Sequence, residues 1–414
     1  MRRLVVSALL VLVLVLAPMV SLAQTVTYDG WSRDVTWDLG ISGYQIDTII
    51  DDDEDSLIVV VASNASDSDT GVVKVLAPNF TELESYNITM GHDFARDADI
   101  YGDIIAIGSE YGSVDSLIVI NRTSGSVTSA PIQSVGGTDY NVDVVDVAIV
   151  GNYVYVLVTD EYDFVLRIHV FDVSGAAPTK VTTIDASSVD AYISRIENSN
   201  YLVYWNGSTT IYVLDGTDPS LATVVASIDV GTSSVRWVVG YYNDTDNTIV
   251  IAFAVPGSNE YRFIRYDLTN GTVIYDVSTE SPSGTVSQIR DFSGFDGTVY
   301  LVTFSSGGYR ILDAFTGSPT IVAEALPYRS FVHLRGSEYL YALDDTTTVA
   351  RYVFSPVVKE VVTETVTQPV VQYETETVTE TEIVQGPYTQ TDLVLVGVIA
   401  LIVGVAIAYV LQRR

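Results

Sequence analysis

Six arginines, Arg96, Arg195, Arg236, Arg290, Arg329 and Arg335, each stand a few residues ahead of an apolar run. Away from the chain ends the sequence holds only 13 arginines, so nearly half fall in these short segments. Guanidinium groups gathered on one axis can hold an anionic ligand, or they can pair with carboxylates around a wet channel. Asp47, Asp93, Asp97, Asp143 and Asp146 share the same segments. Asp143 and Asp146 are the partners the sequence offers to Arg195, Arg236 and Arg290.

A second constellation is acidic. The run IIDDDEDSL sets Asp51, Asp53 and Asp55 at alternate positions, as loops that converge oxygen ligands on calcium do, and YNDTDNT offers Asp244 and Asp246 in a comparable turn. The first run departs from the EF-hand pattern, because Ser56 stands where glycine is expected and no glutamate occupies the twelfth position. Solvated turn carboxylates are the simpler reading. His92, His169 and His333 are too far apart in sequence to form a zinc spacing, and the residues assign no catalytic group.

Between Gln24 and Asp392 the chain carries 16 basic and 52 acidic residues, a balance of 16 − 52 = −36. That field opposes nucleic-acid binding and favours cations or basic partners, although a halophile surface or plain solubility accounts for it equally well. There is no cysteine, so stability rests on packing alone. Seven of the 13 asparagines, Asn64, Asn79, Asn87, Asn121, Asn206, Asn243 and Asn270, begin Asn-X-Ser/Thr sequons, more than chance supplies. Glycosylation outside the cell is the expectation.

The elements that must position these groups recur. SLIVVV, DIIAIG, NYVYVLV, NYLVYW, NTIVIAF, GTVYLVT and EYLYAL place Ile58, Ile105, Val154, Leu202, Ile249, Val299 and Leu340 at spacings of 47, 49, 48, 47, 50 and 41. A period of about 40 to 50 residues, rich in β-branched and aromatic residues, predicts an all-β chain of four-stranded propeller blades. About 15 residues beyond five of the landmarks the motifs VINRTSG, VFDVSG, VLDGTD, RYDLTNG and ILDAFTG follow. Asn121, Asp172, Asp215, Asp267 and Asp313 are expected to end a strand and bond the backbone two residues on. Gly125, Gly175, Gly271 and Gly317 are expected to turn it with a positive φ.

The apolar-Asp-turn-Gly pattern resembles YVTN-type and quinoprotein-like propeller repeats over roughly residues 40 to 354. The resemblance is to a fold that hosts many activities. It implies no particular chemistry here: a quinoprotein dehydrogenase would carry a tryptophan in each blade, whereas only Trp205 and Trp237 lie in the units. The sialidase pattern Ser-X-Asp-X-Gly-X-Thr-Trp is missing from the sequence. A lactonase-like hydrolase is left open.

The final unit supplies three strands, and DVTWDL, with Val35, Trp37 and Leu39 alternating, is expected to provide the fourth and close a seven-bladed ring. Five or six blades with a separate small β domain is the alternative. The ends set the topology. Residues 1–23 read as a signal peptide, with a retained anchor as the other reading, and residues 24–355 as the propeller ectodomain. Residues 356–391 form a Val/Thr/Glu-rich segment in which Pro369 and Pro387 interrupt any ladder. It reads as an extended stalk reaching at most roughly 115 Å, a coiled coil being the competing reading. Residues 392–411 hold the uncharged stretch Leu393–Leu411, a transmembrane helix about 28 Å long, with 412–414 as a basic cytoplasmic tail.

Together these resemble archaeal surface proteins anchored by one C-terminal helix. The expected work is recognition or scaffolding at the cell surface, for a protein, glycan or surface-layer partner, with a surface hydrolase or dehydrogenase as the alternative.

Overall fold

The computed structural model describes residues 27–28, 31–52, 55–65, 70–89, 94–110, 115–137, 141–187, 190–280, 289–295, 298–305, 308–313, 320–326, 331–333 and 339–354. The expected signal, stalk, membrane span and tail lie outside them, as do Asp53, His92, Asp93, Gly317, Arg329 and Arg335. The chain divides into two compact units, Met1–Phe354 and Ser355–Arg414, and all that follows concerns the first.

Every regular element among the described residues is a strand. The first antiparallel sheet runs Tyr44–Asp52, Leu57–Asn64, Thr70–Leu76 and Glu82–Thr89. The second runs Phe94–Tyr101, Ile104–Glu110, Asp115–Asn121 and Ser126–Ile132, and the third Val142–Val150, Tyr153–Asp160, Val165–Asp172 and Thr179–Ser187. The fourth is Tyr192–Glu197, Tyr201–Trp205, Thr210–Asp215 and Val224–Asp229. The fifth is Arg236–Asn243, Thr248–Val255, Glu260–Asp267 and Thr272–Glu280. Parallel pairs Ile196↔Gly240 and Glu197↔Tyr241 merge these two into an eight-stranded sheet. A sixth group follows, Ile289–Phe295, Thr298–Ser305, Gly308–Asp313 and Thr320–Leu326. The last sheet combines Phe331–His333, Tyr339–Leu343 and Thr348–Phe354 with Trp31–Asp38 and Thr27–Tyr28 from the other end of the chain.

The first strand of each group lies against the first strand of the next, and Phe331–His333 lies against Tyr44–Asp52. These seven strands are therefore innermost. All seven landmark residues, from Ile58 to Leu340, are the second residue of the second strand in their group. Those strands read as continuous apolar runs because both faces are covered. Ile58, Val60 and Ala62 enter the core shared with the last sheet, while Val59 and Val61 enter the core shared with the second. Val154, Val156 and Val158 face the second sheet; Tyr155 and Leu157 face the fourth. Each fully buried side chain of this kind contributes about 1.5–3 kcal/mol.

The turn residues behave as their chemistry requires. Asp172, Asp215 and Asp267 end third strands and accept the N–H of Ser174, Thr217 and Thr269, each at 2.8 Å. Asn121 reaches one residue further, to the Ser124 N–H at 2.9 Å. Gly125 and Gly271 take φ of 68° and 66°. Gly175 does not adopt a positive φ, contrary to expectation: Pro178 follows in a longer turn, and the chain reverses without a left-handed residue there.

The strand directions define two faces. The upper face, where innermost strands begin, carries the links between sheets and the hairpins joining second to third strands. The lower face carries the other hairpins, and both Trp31 and its partner Phe354 lie there.

Candidate functional site

Apart from the parallel pairs that join the fourth and fifth sheets, the innermost strands pair on one side only, leaving a row of backbone N–H groups toward the neighbouring sheet. Aspartates from the preceding sheet accept them. The Ala95 N–H donates to Asp47 Oδ2 at 3.1 Å, the Val147 N–H to Asp97 Oδ2 at 2.7 Å, and the Ile149 N–H to Asp99 Oδ2 at 2.9 Å. Between the fourth and fifth sheets the same seam is made by the parallel pairs and by the Ser194 hydroxyl, which donates to the Val238 carbonyl at 2.9 Å.

β-Bulges aim these groups. Pairing slips between Ile46 and Thr48, Ala95 and Asp97, Val144 and Asp146, Arg236 and Val239, and Ile289 and Asp291. An extra residue on one strand bends it and redirects the side chains beside it. Asp47 itself is the inserted residue of its strand, while Asp97 and Asp146 follow theirs.

The carboxylates differ in charge state. Burial pushes Asp47 up to about 6, against the opposing hydrogen bonds from the Ala95 N–H and the Ser63 hydroxyl. Asp146 is driven well above the usual carboxylate range by burial and then by the charge of Asp97, with which it shares a hydrogen bond. This is a proton-sharing pair, a disposition that acid–base chemistry can exploit. Both members accept the Val147 N–H, Asp97 Oδ2 at 2.7 Å and Asp146 Oδ1 at 3.1 Å.

Three of the six arginine side chains, those of Arg96, Arg195 and Arg236, are described, and their partners differ. Arg195 is the one set deep in the seam, and it pairs with Asp99 at 3.1 Å and Glu197 at 3.0 Å. Burial opposes its charge, but Asp99, Glu197 and, more weakly, Asp51 outweigh that and keep it protonated. Asp143 and Asp146 are not its ion-pair partners, contrary to the sequence expectation, because Asp146 turns to Asp97. Arg236 is half exposed, 3.7 Å from Asp190 and against the Trp237 ring. Arg96 is exposed and stacks over Phe94. Arg290 lies in Ile289–Phe295, and its side chain falls outside the description.

The acidic turn is described at Asp51, Asp52 and Asp55. Arg122 reaches across from the second sheet and pairs with Asp52 and Asp55, each at 3.3 Å, and with Glu84 at 3.1 Å. Asp51 instead contributes to the field at Arg195, so Asp51 and Asp55 serve different cations. Asp246 pairs with Arg265 and accepts the Thr248 hydroxyl at 2.6 Å, while Asp244 accepts the Thr245 hydroxyl at 3.5 Å. Among the described residues no group of three or more His, Asp or Glu side chains is arranged to hold a metal ion. His169 is fully buried, with its pKa lowered to about 4 chiefly by burial.

Of the sequons, Asn79, Asn121, Asn243 and Asn270 stand at lower-face turns, Asn64 and Asn206 at upper-face hairpins, and Asn87 on an outermost strand. Asn79, Asn87 and Asn270 are exposed.

A groove of about 490 Å³, invisible in the sequence, opens on the upper face of the fifth sheet between Thr232, Ser234, Ser258, Glu260 and Arg262. Arg262 is held there by Asp276 and the Val230 carbonyl. Nothing in the spacing of Glu260, Arg262 and Asp276 announces it, because they meet only through strand pairing.

No family model matches the chain, and no curated protein matches it. Solved structures do. A chain in a crystal structure of the mitotic checkpoint complex superposes with a TM-score of 0.53 at 10% identity, covering 79% of this chain and 93% of that one. The WD40 domain of coronin from Toxoplasma gondii gives 0.49 at 12% identity over 80% of this chain and 87% of that one. KlHsv2 with its loop 6CD replaced by a Gly-Ser linker gives 0.48 at 12%, over 72% and 89%. At such identities the likeness is one of fold, and the fold is a β-propeller of four-stranded antiparallel sheets.

Proposed function

We propose that the chain is a recognition or scaffolding protein: a seven-bladed propeller closed by Trp31–Asp38, carried above a membrane on the 356–391 stalk and anchored by residues 392–411. The observation that carries this reading is the fate of the axial polar groups. Asp47, Asp97 and Asp99 are engaged with the next sheet's N–H groups, and Arg195 with Asp99 and Glu197. Such a seam holds sheets together and leaves recognition to the loops. The cyclic succession of innermost strands and the antiparallel pairing of Trp31–Asp38 with Thr348–Phe354 support the blade count and closure.

Export is supported by the sequons and by the signal-like first 23 residues, and the acidic balance suits a cell-surface protein of archaeal type. The partner is a protein, glycan or surface-layer component. Protease added to intact cells is expected to cut within residues 357–391 and shed a soluble glycosylated head. Full-length protein in liposomes is expected to bind saturably to envelopes of cells that lack it. A protected head overturns the topology, and an absence of saturable binding overturns the recognition role.

A further inference from the structure

The upper face of the third sheet carries a feature that the seam does not use. Its hairpin Asp160–Val165 exposes Tyr162 by 50% and Phe164 by 73%, and the adjoining link from the second sheet exposes Val135 by 50%. Large apolar side chains on a mobile loop would mean little. These are fixed by one carboxylate. Asp160, fully buried, accepts the Ser134 hydroxyl at 2.6 Å, the Val135 N–H at 3.0 Å and the Tyr162 N–H at 3.0 Å. The Phe164 N–H closes the turn on the Asp160 carbonyl at 2.8 Å. One buried group thereby locks both loops with their apolar side chains outward.

The turn is also strained. Phe164 adopts φ of 58°, a conformation that costs a bulky side chain energy and that glycine would take freely. Packing offers little in return, since most of the ring faces solvent. Strain held without core packing is a mark of a functional surface.

The surrounding charge selects the occupant. Arg167 lies beneath, shared by Asp160 at 3.1 Å, Asp163 at 2.6 Å and Asp185 at 2.9 Å. Three carboxylates against one guanidinium leave an excess of negative charge, to which the exposed Glu161 adds. A neutral sugar could stack on the rings but would gain nothing from that excess. A guanidinium or ammonium gains from both, by lying over an aromatic face and by neutralising the rim.

We propose that Val135, Tyr162 and Phe164, with Glu161, Asp163 and Asp185, form a preorganised docking surface for a basic protein segment that presents arginine or lysine. The proposal rests on the recognition reading above and names the chemistry of the partner.

The test uses full-length protein and a fluorescein-labelled nona-arginine peptide at fixed ionic strength. Phe164→Gly removes the ring while suiting the backbone, so its melting temperature is expected to equal or exceed that of the parent. The double variant Tyr162→Ser/Phe164→Gly is expected to bind the peptide at least about fivefold more weakly, the scale of one cation–aromatic contact. Glu161→Gln is expected to weaken it less. Equal affinity in parent and double variant overturns the proposal, as does a marked fall in melting temperature for Phe164→Gly, which would make the ring a packing group. Displacement of the peptide by maltoheptaose, or concentration-dependent dimerisation lost in Phe164→Gly, overturns it in favour of a glycan or a second copy. Saturable envelope binding by the parent that Phe164→Gly leaves unchanged refutes this surface alone; no envelope binding by the parent refutes the recognition reading itself.

Discussion

Asp47 carries the cost of the contact it makes. Its folded pKa, about 6, lies above the ordinary carboxylate value of 3.8, so the folded state holds a proton that the unfolded chain has released. The sign follows from linkage: where the native state binds more protons than the unfolded one, stability falls as pH rises. Asp47 therefore favours folding most below pH 4 and progressively less through the window from about 4 to 6, and Asp146 acts in the same direction. Asp47→Asn, which keeps an acceptor for the Ala95 N–H, is expected to flatten the decline in that window. Denaturant titrations at a series of pH values read the difference, and parallel profiles would refute the assignment. Arg195 is the opposite case, a cation whose loss strands Asp99 and Glu197. Arg195→Met is expected to cost roughly 3–5 kcal/mol in the same titrations. The concentration of arginine and aspartate ahead of the landmark runs was legible in the sequence. Their pairing was not: a bulge of one residue decides whether Asp146 meets a guanidinium or Asp97, and bulges leave no compositional mark.

Second strands explain why the repeat was easy to read and the seams were not. A strand covered on both faces needs apolar residues at successive positions, so SLIVVV and NTIVIAF appear as uninterrupted runs at a near-constant period. The turn residues that end third strands were equally plain, since Asp172, Asp215 and Asp267 act through bonds two residues away. Contacts between sheets depend on groups about 50 residues apart, and only the recurrence of Asp47 and Asp97 hinted at them. Gly108 shows how tight these seams are. It pairs with Asp97 beside the bulge, and a Cβ built there would lie 2.8 Å from methyl carbons of both Val144 and Val147 on the next sheet. These stiff side chains have little room to yield. Gly108→Val is expected to destabilise by roughly 1–3 kcal/mol, the usual cost of overpacking. Gly257→Ala, whose nearest new neighbour is Ser234 Oγ at 3.7 Å, is expected to stay within about 0.5 kcal/mol. Equal midpoints for the two variants would show that the second and third sheets do not meet as described.

At the scale of the molecule the proposed closure is the point to test, because a ring of sheets would be only as sound as the joint that completes it. DVTWDL was recognisable as a spare strand since its alternation matched a vacancy in the last unit. The observed strand extends further, Trp31–Asp38, with a slip between Arg33 and Val35. Side chains reinforce it: Arg33 pairs with Asp344 at 2.6 Å, and Arg351 pairs with Asp34 at the slip. The Leu39 N–H donates to the Thr347 carbonyl at 2.9 Å, and the Ile46 N–H to Thr346 at 2.7 Å, which ties the first innermost strand to the last sheet. These contacts join residues about 300 positions apart, so forming them carries a large loop-closure cost. A chain beginning at Gly40 would retain the Ile46 contact but leave Thr348–Phe354 with an open edge of unpaired backbone groups, a template for intermolecular pairing. Such a chain is expected to melt at a lower temperature and to aggregate with a concentration dependence the parent lacks, as followed by scanning calorimetry and light scattering. If it instead stayed monomeric with an unchanged melting temperature, Trp31–Asp38 would be an ornament on the last sheet, and the joint would have to be sought between Phe331–His333 and Tyr44–Asp52.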